Sequence, residues 1–290
     1  LYALGANLAI GVTKTVAAVY TGSSAMLAEA IHSYADSGNQ GLLLWGMKQA
    51  TRPPSPDYPL GWGKAIFFWS FVVALVLFSL GGMFSLYEGW HKLAHPEPLK
   101  YAWVAVGVLV FGVIAEIVSL RACLHEVRKI QGNRTLWAWF RGSRQSELVV
   151  ILGEDLAALL GLVLALAAVV VTMVTGDPKW DAIGSMSIGV VLIVVAAGIA
   201  IEIKGLLIGQ SAEPEIEARL CECLAKQDGV EKVYRLITLQ MGNSLMVAVK
   251  AKMKAGTVDQ AVAAINRAEA GLRAEFPEIQ WFFFEPDNVD

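Results

Sequence analysis

Six apolar stretches divide the chain, each about as long as the roughly 20 residues an α-helix needs to cross some 30 Å of hydrocarbon. They run Tyr2 to Tyr20, Ser23 to Met47, Ala65 to Trp90, Ala102 to Leu124, Leu148 to Val174 and Ala182 to Ile203. Gly22, the Pro53-Pro54-Ser55-Pro56 run, Pro96 and Pro98, Gly132 and Gly176-Asp177-Pro178 punctuate the gaps. A bilayer offers no water to backbone N–H and C=O groups, so stretches like these must close their hydrogen bonds as helices. Only 17% of the 290 residues are charged, against roughly 25% in soluble domains. The deficit lies upstream of Ser211, and the tail beyond has an ordinary soluble composition. The expected fold is an α-helical membrane protein with six transmembrane helices over 1–210. A small α+β domain is expected over 211–290.

Lysine and arginine set the orientation. Arg121, Arg128, Lys129, Arg134, Arg141 and Arg144 cluster from the end of the fourth stretch into the loop after it, and Lys48, Arg52 and Lys64 follow the second. On the other side, Thr21-Gly22-Ser23 is uncharged, Gly176 to Asp181 holds one lysine and His91 to Lys100 two. This bias puts both termini in the cytoplasm of a multi-pass protein, expected in a bacterial cytoplasmic membrane. A net charge of −3 gives no footing for a nucleic-acid partner. Cys123, Cys221 and Cys223 make no disulfide framework. HExxH, GxSxG and P-loop patterns are missing, so no enzyme is expected and no catalytic or cofactor-binding residues are assigned.

In the tail, Glu213 to Lys226 reads as a helix with Pro214 in its first turn. Val230 to Met241 and Leu245 to Met253 alternate as strands joined by Gly242-Asn243. A helix over Val258 to Phe276 and a strand over Ile279 to Phe284 complete an α-β-β-α-β order, with helices on one face of a small sheet. So small a domain buries little core by itself, and pairing with a second copy as a homodimer is expected.

His32 and Asp36 stand one helical turn apart in the second stretch, so an imidazole and a carboxylate share a face. Such a pair is costly inside a membrane and marks a functional site by default. One nitrogen and one oxygen donor begin a site for a borderline ion such as Zn2+. The fifth stretch adds Glu154 and Asp155, about 100° apart on a helix, so at most one of them faces a given cavity squarely. His32, Asp36 and Asp155 form the candidate metal set, with Glu154 as a further oxygen donor. Plainer readings stand beside it: His32 and Asp36 as a hydrogen-bonded tie between helices, Asp155 as a packing group, Glu116 and Glu88 as vestibular carboxylates. His91 and His95 read as solvated, and Cys221 and Cys223 point to different sides of a helix.

The run Gly22-Ser23-Ser24-Ala25-Met26-Leu27-Ala28-Glu29-Ala30-Ile31-His32-Ser33-Tyr34-Ala35-Asp36 resembles the second transmembrane helix of the cation diffusion facilitator family. Gly61-Trp62-Gly63-Lys64 is similar to the loop before that family's third helix, and Glu88 with His95-Pro96-Glu97-Pro98 to the end of it. Asp181 to Gly189 resembles the start of its sixth. Asn39-Gln40 and Glu154-Asp155 look closest to the branch that contains the mitochondrial member of the mammalian zinc transporters. The resemblance implies a homodimeric antiporter in the lipid bilayer, exchanging Zn2+ or a similar divalent metal ion against protons, with coordination at His32, Asp36 and Asp155.

The departures are specific. Ile151 stands where many members have a histidine, which leaves the usual four-ligand site one short unless Glu154, Asn39 or water fills in. Tyr58 and Trp62 stand where zinc-binding members often carry histidines, and the tail has no histidine at all. Ile208 takes the place of an aspartate that in some members pairs with the lysine matched by Lys64. Carboxylates and neutral imidazole bind metal while their protonated forms do not, which is a route to proton coupling. No cofactor is expected, only transported Zn2+, with Mn2+, Fe2+, Co2+ or Cd2+ suited to the same donors. The alternative is a degenerate member serving as a non-transporting metal sensor or scaffold.

Overall fold

The protein is described as a computed structural model over residues 2–96, 98–99, 101–254 and 256–289, with side chains from Leu8 onward. Glu97 and Lys100, used in the resemblance and in the charge bias, lie outside the described residues, as do Leu1 and Asp290 at the ends of the two expected domains.

The helices are α1 (Tyr2–Thr21), α2 (Ser24–Ala50), α3 (Ala65–Val76), α4 (Phe84–Ala94), α5 (Ala102–Gln131), α6 (Leu136–Gly142), α7 (Ser146–Thr175) and α8 (Lys179–Ile208). A π-helical stretch, Leu77–Met83, joins α3 to α4, making one rod from Ala65 to Ala94. That rod, α5, α7 and α8 are long and apolar enough to cross a membrane. The described apolar part of α1 is shorter, Leu8–Thr21, and α2 interrupts its apolar run with Glu29, His32, Asp36 and Asn39. Each expected stretch thus falls on helix, while the π stretch and α6 were not foreseen. In α6 the indole of Trp139 is fully buried among Cys123, Val127, Val149 and Leu152, which folds the α5–α7 connection back onto the bundle.

The chain divides into two compact units. The first comprises the chain up to Gly46, Phe68–Arg141 and Ser146–Ile203. Small residues let its helices approach closely, as membrane interfaces favour. A Cβ at Gly82 in the π stretch would come within 2.5 Å of Ile193 Cγ1 on α8, and one at Gly89 within 2.7 Å of Ala182 O. The start of α2 is capped twice. Ser23 Oγ accepts from Met26 N (3.2 Å), and the buried Asp181 carboxylate accepts from Ser23 Oγ (2.6 Å), Ser24 N (2.7 Å) and Ser24 Oγ (2.8 Å). An anion there satisfies orphan N–H groups and suits the positive end of the helix dipole. Lys92 Nζ donates to Gly22 O beside it.

The second unit comprises Met47–Phe67, Gly142–Gln145 and the chain from Lys204 on. Its elements are α9 (Pro214–Ala225), β1 (Val230–Met241), β2 (Ser244–Met253), α10 (Val258–Glu275) and β3 (Ile279–Pro286). The sheet order is β1-β2-β3, antiparallel then parallel. Leu220 and Leu224 of α9 and Leu272 of α10 close the core over Val247, Val249 and Ile279 of the sheet. Thr257 and Gln260 form a capping box that starts α10. Tyr58 and Trp62 pack ring against ring at 4.0 Å with Arg52 over the indole.

A backbone clasp joins the loop before α3 to the β1–β2 hairpin within this unit. A Cβ at Gly63 would overlap Met241 O, and one at Gly242 (φ +68°) would sit 2.5 Å from Gly63 O. Beside it, Arg144 Nε donates to Ser211 O at 2.7 Å and Ala212 N to Thr238 Oγ1 at 2.9 Å. A carbonyl on a paired strand cannot rotate away as a side chain would. Gly63→Ala should therefore cost about 1–3 kcal/mol, the usual range for forced overpacking. It should lower the midpoint of thermal unfolding in detergent, while Gly142→Ala, which meets open space, leaves it in place. Equal midpoints for both variants would refute the clasp.

Candidate metal centre

Glu29, His32, Asp36 and Asn39 recur at helical spacing along one face of α2. Their polar atoms are unusual in one respect. Glu29 Oε1, both ring nitrogens of His32, Asp36 Oδ1 and Asn39 Oδ1 are all buried and find no hydrogen-bond partner among the described residues. His32 Nδ1 lies 3.5 Å from Asp36 Oδ1, near enough for attraction but too long for a good hydrogen bond. Buried polar groups are ordinarily satisfied, so a row of unsatisfied ones calls for a ligand or a functional reason. The π stretch borders this row, for a Cβ at Gly81 would stand 3.9 Å from His32 Nδ1.

The two α7 carboxylates diverge, as their adjacency requires. Glu154 is buried and accepts a short hydrogen bond from Asn39 Nδ2. Asp155 turns to α5, where Ser119 Oγ lies 3.3 Å from each carboxylate oxygen. Asp36 has Glu154, Glu116 and Glu29 within electrostatic reach, with the Lys14 ammonium as a counter-charge. The structure thus brings His32 to Asp36 and Asn39 to Glu154, and places Asp155 against Ser119. Among the described residues, no three His, Cys, Asp or Glu side chains converge into a group that would hold a metal ion. Ile151 is half-buried against the cluster around Trp139.

Sequence reasoning missed four participants, Lys14, Glu29, Ser119 and Asp181. Lys14 on α1 donates to Glu29 Oε2 at 3.1 Å and to Ser33 Oγ at 2.8 Å, with its side chain and that of Glu29 buried. Ser119 and the Asp181 cap were missed as well. The signal for Lys14 and Glu29 was present as charges inside apolar stretches, where each must find a partner.

The family model of the cation efflux transmembrane domain matches residues 1–208. The chain is 34% identical over 233 residues to the mitochondrial proton-coupled zinc antiporter SLC30A9 of Xenopus laevis, covering 80% of this chain and 42% of that protein. With the Homo sapiens protein of the same name it shares 32% over 231 residues, 79% of this chain and 41% of that one. Metal tolerance protein C4 of Arabidopsis thaliana is 29% identical over 214 residues, 73% of this chain and 47% of that protein. The chain spans less than half the length of these relatives.

Asn39→Ala should leave the buried Glu154 carboxylate without its donor, at a cost of about 1–3 kcal/mol. Ser119→Ala breaks only two long contacts at an exposed position and should stay within about 0.5 kcal/mol. Thermal unfolding of the two variants in detergent with a chelator checks the contrast, and a Ser119 effect as large as that of Asn39 would contradict it.

Proposed function

The chain belongs to the cation efflux family, on the branch of the mitochondrial zinc antiporters it matches, and we propose that it carries divalent metal cations across a membrane in exchange for protons. Zn2+ is the first candidate, because one imidazole among carboxylates suits a borderline ion. The observation that carries the reading is the row of unsatisfied donors on α2. Unpaired buried nitrogens and oxygens are costly in a resting fold and useful to a cation that strips off its water.

His32 and Asp36 supply the first two ligands. Asp155 remains a member of the proposed set, joined by Glu154 and Asn39, which already face each other across α2 and α7. Glu154 and Asp155 point about 100° apart on α7, so bringing Asp155 to the same ion calls for a turn of α7 relative to α2 in which it takes the place of Glu154. All donors but Asn39 lose their affinity on protonation, so a proton arriving from one side displaces the metal there. The six helical stretches are proposed as spans, with the Lys/Arg-rich ends on the cytoplasmic side. Residues 1–210 carry transport, and 211–290 serve as the module through which two copies pair. The protein acts as a transporter rather than an enzyme.

The test is Zn2+ uptake driven by a pH gradient in proteoliposomes, with a panel of Mn2+, Fe2+, Co2+ and Cd2+ to rank substrates. His32→Ala and Asp36→Ala should each lower uptake by more than about tenfold, since even groups that merely orient metal ligands are worth 10–100-fold. Proton flux driven by metal separates a transporter from a sensor or scaffold, which would show none. Wild-type uptake by the double alanine variant would overturn the site.

A further inference from the structure

Lys14 is a buried charge that the proposed chemistry leaves unused. Its ammonium is 1% exposed on α1, bonded to Glu29 Oε2 at 3.1 Å and Ser33 Oγ at 2.8 Å. Glu29 stands one turn before His32 on the α2 face, and Ser33 is the residue after His32. An ammonium held between Glu29 and Ser33 is thereby seated within one helical turn of His32 on α2.

A purely structural tie explains this poorly. A buried ion pair is often no more stable than apolar side chains of the same size. This one is also half-finished, since Glu29 Oε1 has no partner among the described residues, and in a bilayer both charges are expensive. The pair gains a purpose if its cation acts on the neighbouring donors. Like charges in apolar surroundings repel steeply at short range, so an ammonium held by Glu29 and Ser33 and a divalent ion bound a turn further along α2 raise each other's free energy.

We propose that Lys14 is a tethered stand-in for the transported ion. It offsets the negative charge of α2 while the site is without metal, and its repulsion loosens a bound divalent cation so that release is not limiting. Lys14 touches no metal on this account; it is a positioning residue acting through charge. The inference rests on the reading of His32 and Asp36 as ligands.

The experiment measures KM and kcat for Zn2+ with the full chain in proteoliposomes. Lys14→Gln should lower KM by about tenfold and lower kcat with it, the signature of lost ground-state destabilisation. Lys14→Arg, which keeps the charge, should stay near wild type. Glu29→Gln, which leaves the ammonium unopposed, should raise KM. Should Lys14→Gln alone fail to fold, comparing Glu29→Gln with Lys14→Gln/Glu29→Gln repeats the test without an unpaired buried carboxylate, and KM should again fall. A purely structural pair would move KM the same way from either partner, and that result, or a KM raised or unchanged by loss of Lys14, would overturn the inference. His32→Ala/Asp36→Ala in the same assay keeps the two failures apart. If that variant transports normally the site reading falls, and if it is inactive while Lys14 has no effect only the stand-in falls.

Discussion

Taking an ionised group out of water costs several kcal/mol even after a protein relaxes around it, and the helical unit does so repeatedly along α2. The cost is met unevenly. At the start of the helix, Asp181 receives three hydrogen bonds and is fully satisfied. Further along, Lys14 serves one oxygen of Glu29 and leaves the other bare. Then come His32 and Asp36, 3.5 Å apart, with both ring nitrogens and Asp36 Oδ1 unbonded among the described residues. Satisfaction falls along the helix from anchor to site, and the unsatisfied groups are those free to take a ligand. The small-residue seam between the π stretch and α8 holds the surrounding backbone close, so the bare groups stay buried instead of relaxing into water.

What the sequence revealed follows from which interactions are local. Length and apolarity were enough for the helices, because a bilayer leaves a long apolar stretch one way to close its hydrogen bonds. The tail's elements were legible from alternation, from Pro214 and from the Gly242 turn, all local signals. The His32 and Asp36 pair was legible because i,i+4 spacing survives any packing. The rotation of α7 was not. That Glu154 meets α2 while Asp155 meets α5 depends on how the seam of Gly153 and Gly161 seats against Ile199 and Glu29, which is a tertiary matter. Lys14 and Glu29 lie 15 residues apart on different helices, so no spacing rule joins them. The π stretch changes a hydrogen-bond register without changing the apolar pattern, and α6 is too short to show a period.

The two units are stabilised by different means. The tail has an aliphatic core under two helices, with surface ion pairs such as Lys252–Glu231 and Lys254–Asp228 that add little in water. The bundle depends on close helix contact and on a few buried polar bonds, each worth more because water is excluded. Changes of salt act mainly on the first kind of contact and scarcely on the second.

The clasp between Gly63 and the Met241–Gly242 turn belongs to neither kind. It is backbone against backbone, with no titratable atom, no rotamer to choose and no charge to screen. Acidification and ionic strength have nothing in those backbone atoms to act upon. Such a joint behaves as a fixed pin: a displacement of the loop is carried to the hairpin whatever the pH or the salt of the surrounding solution.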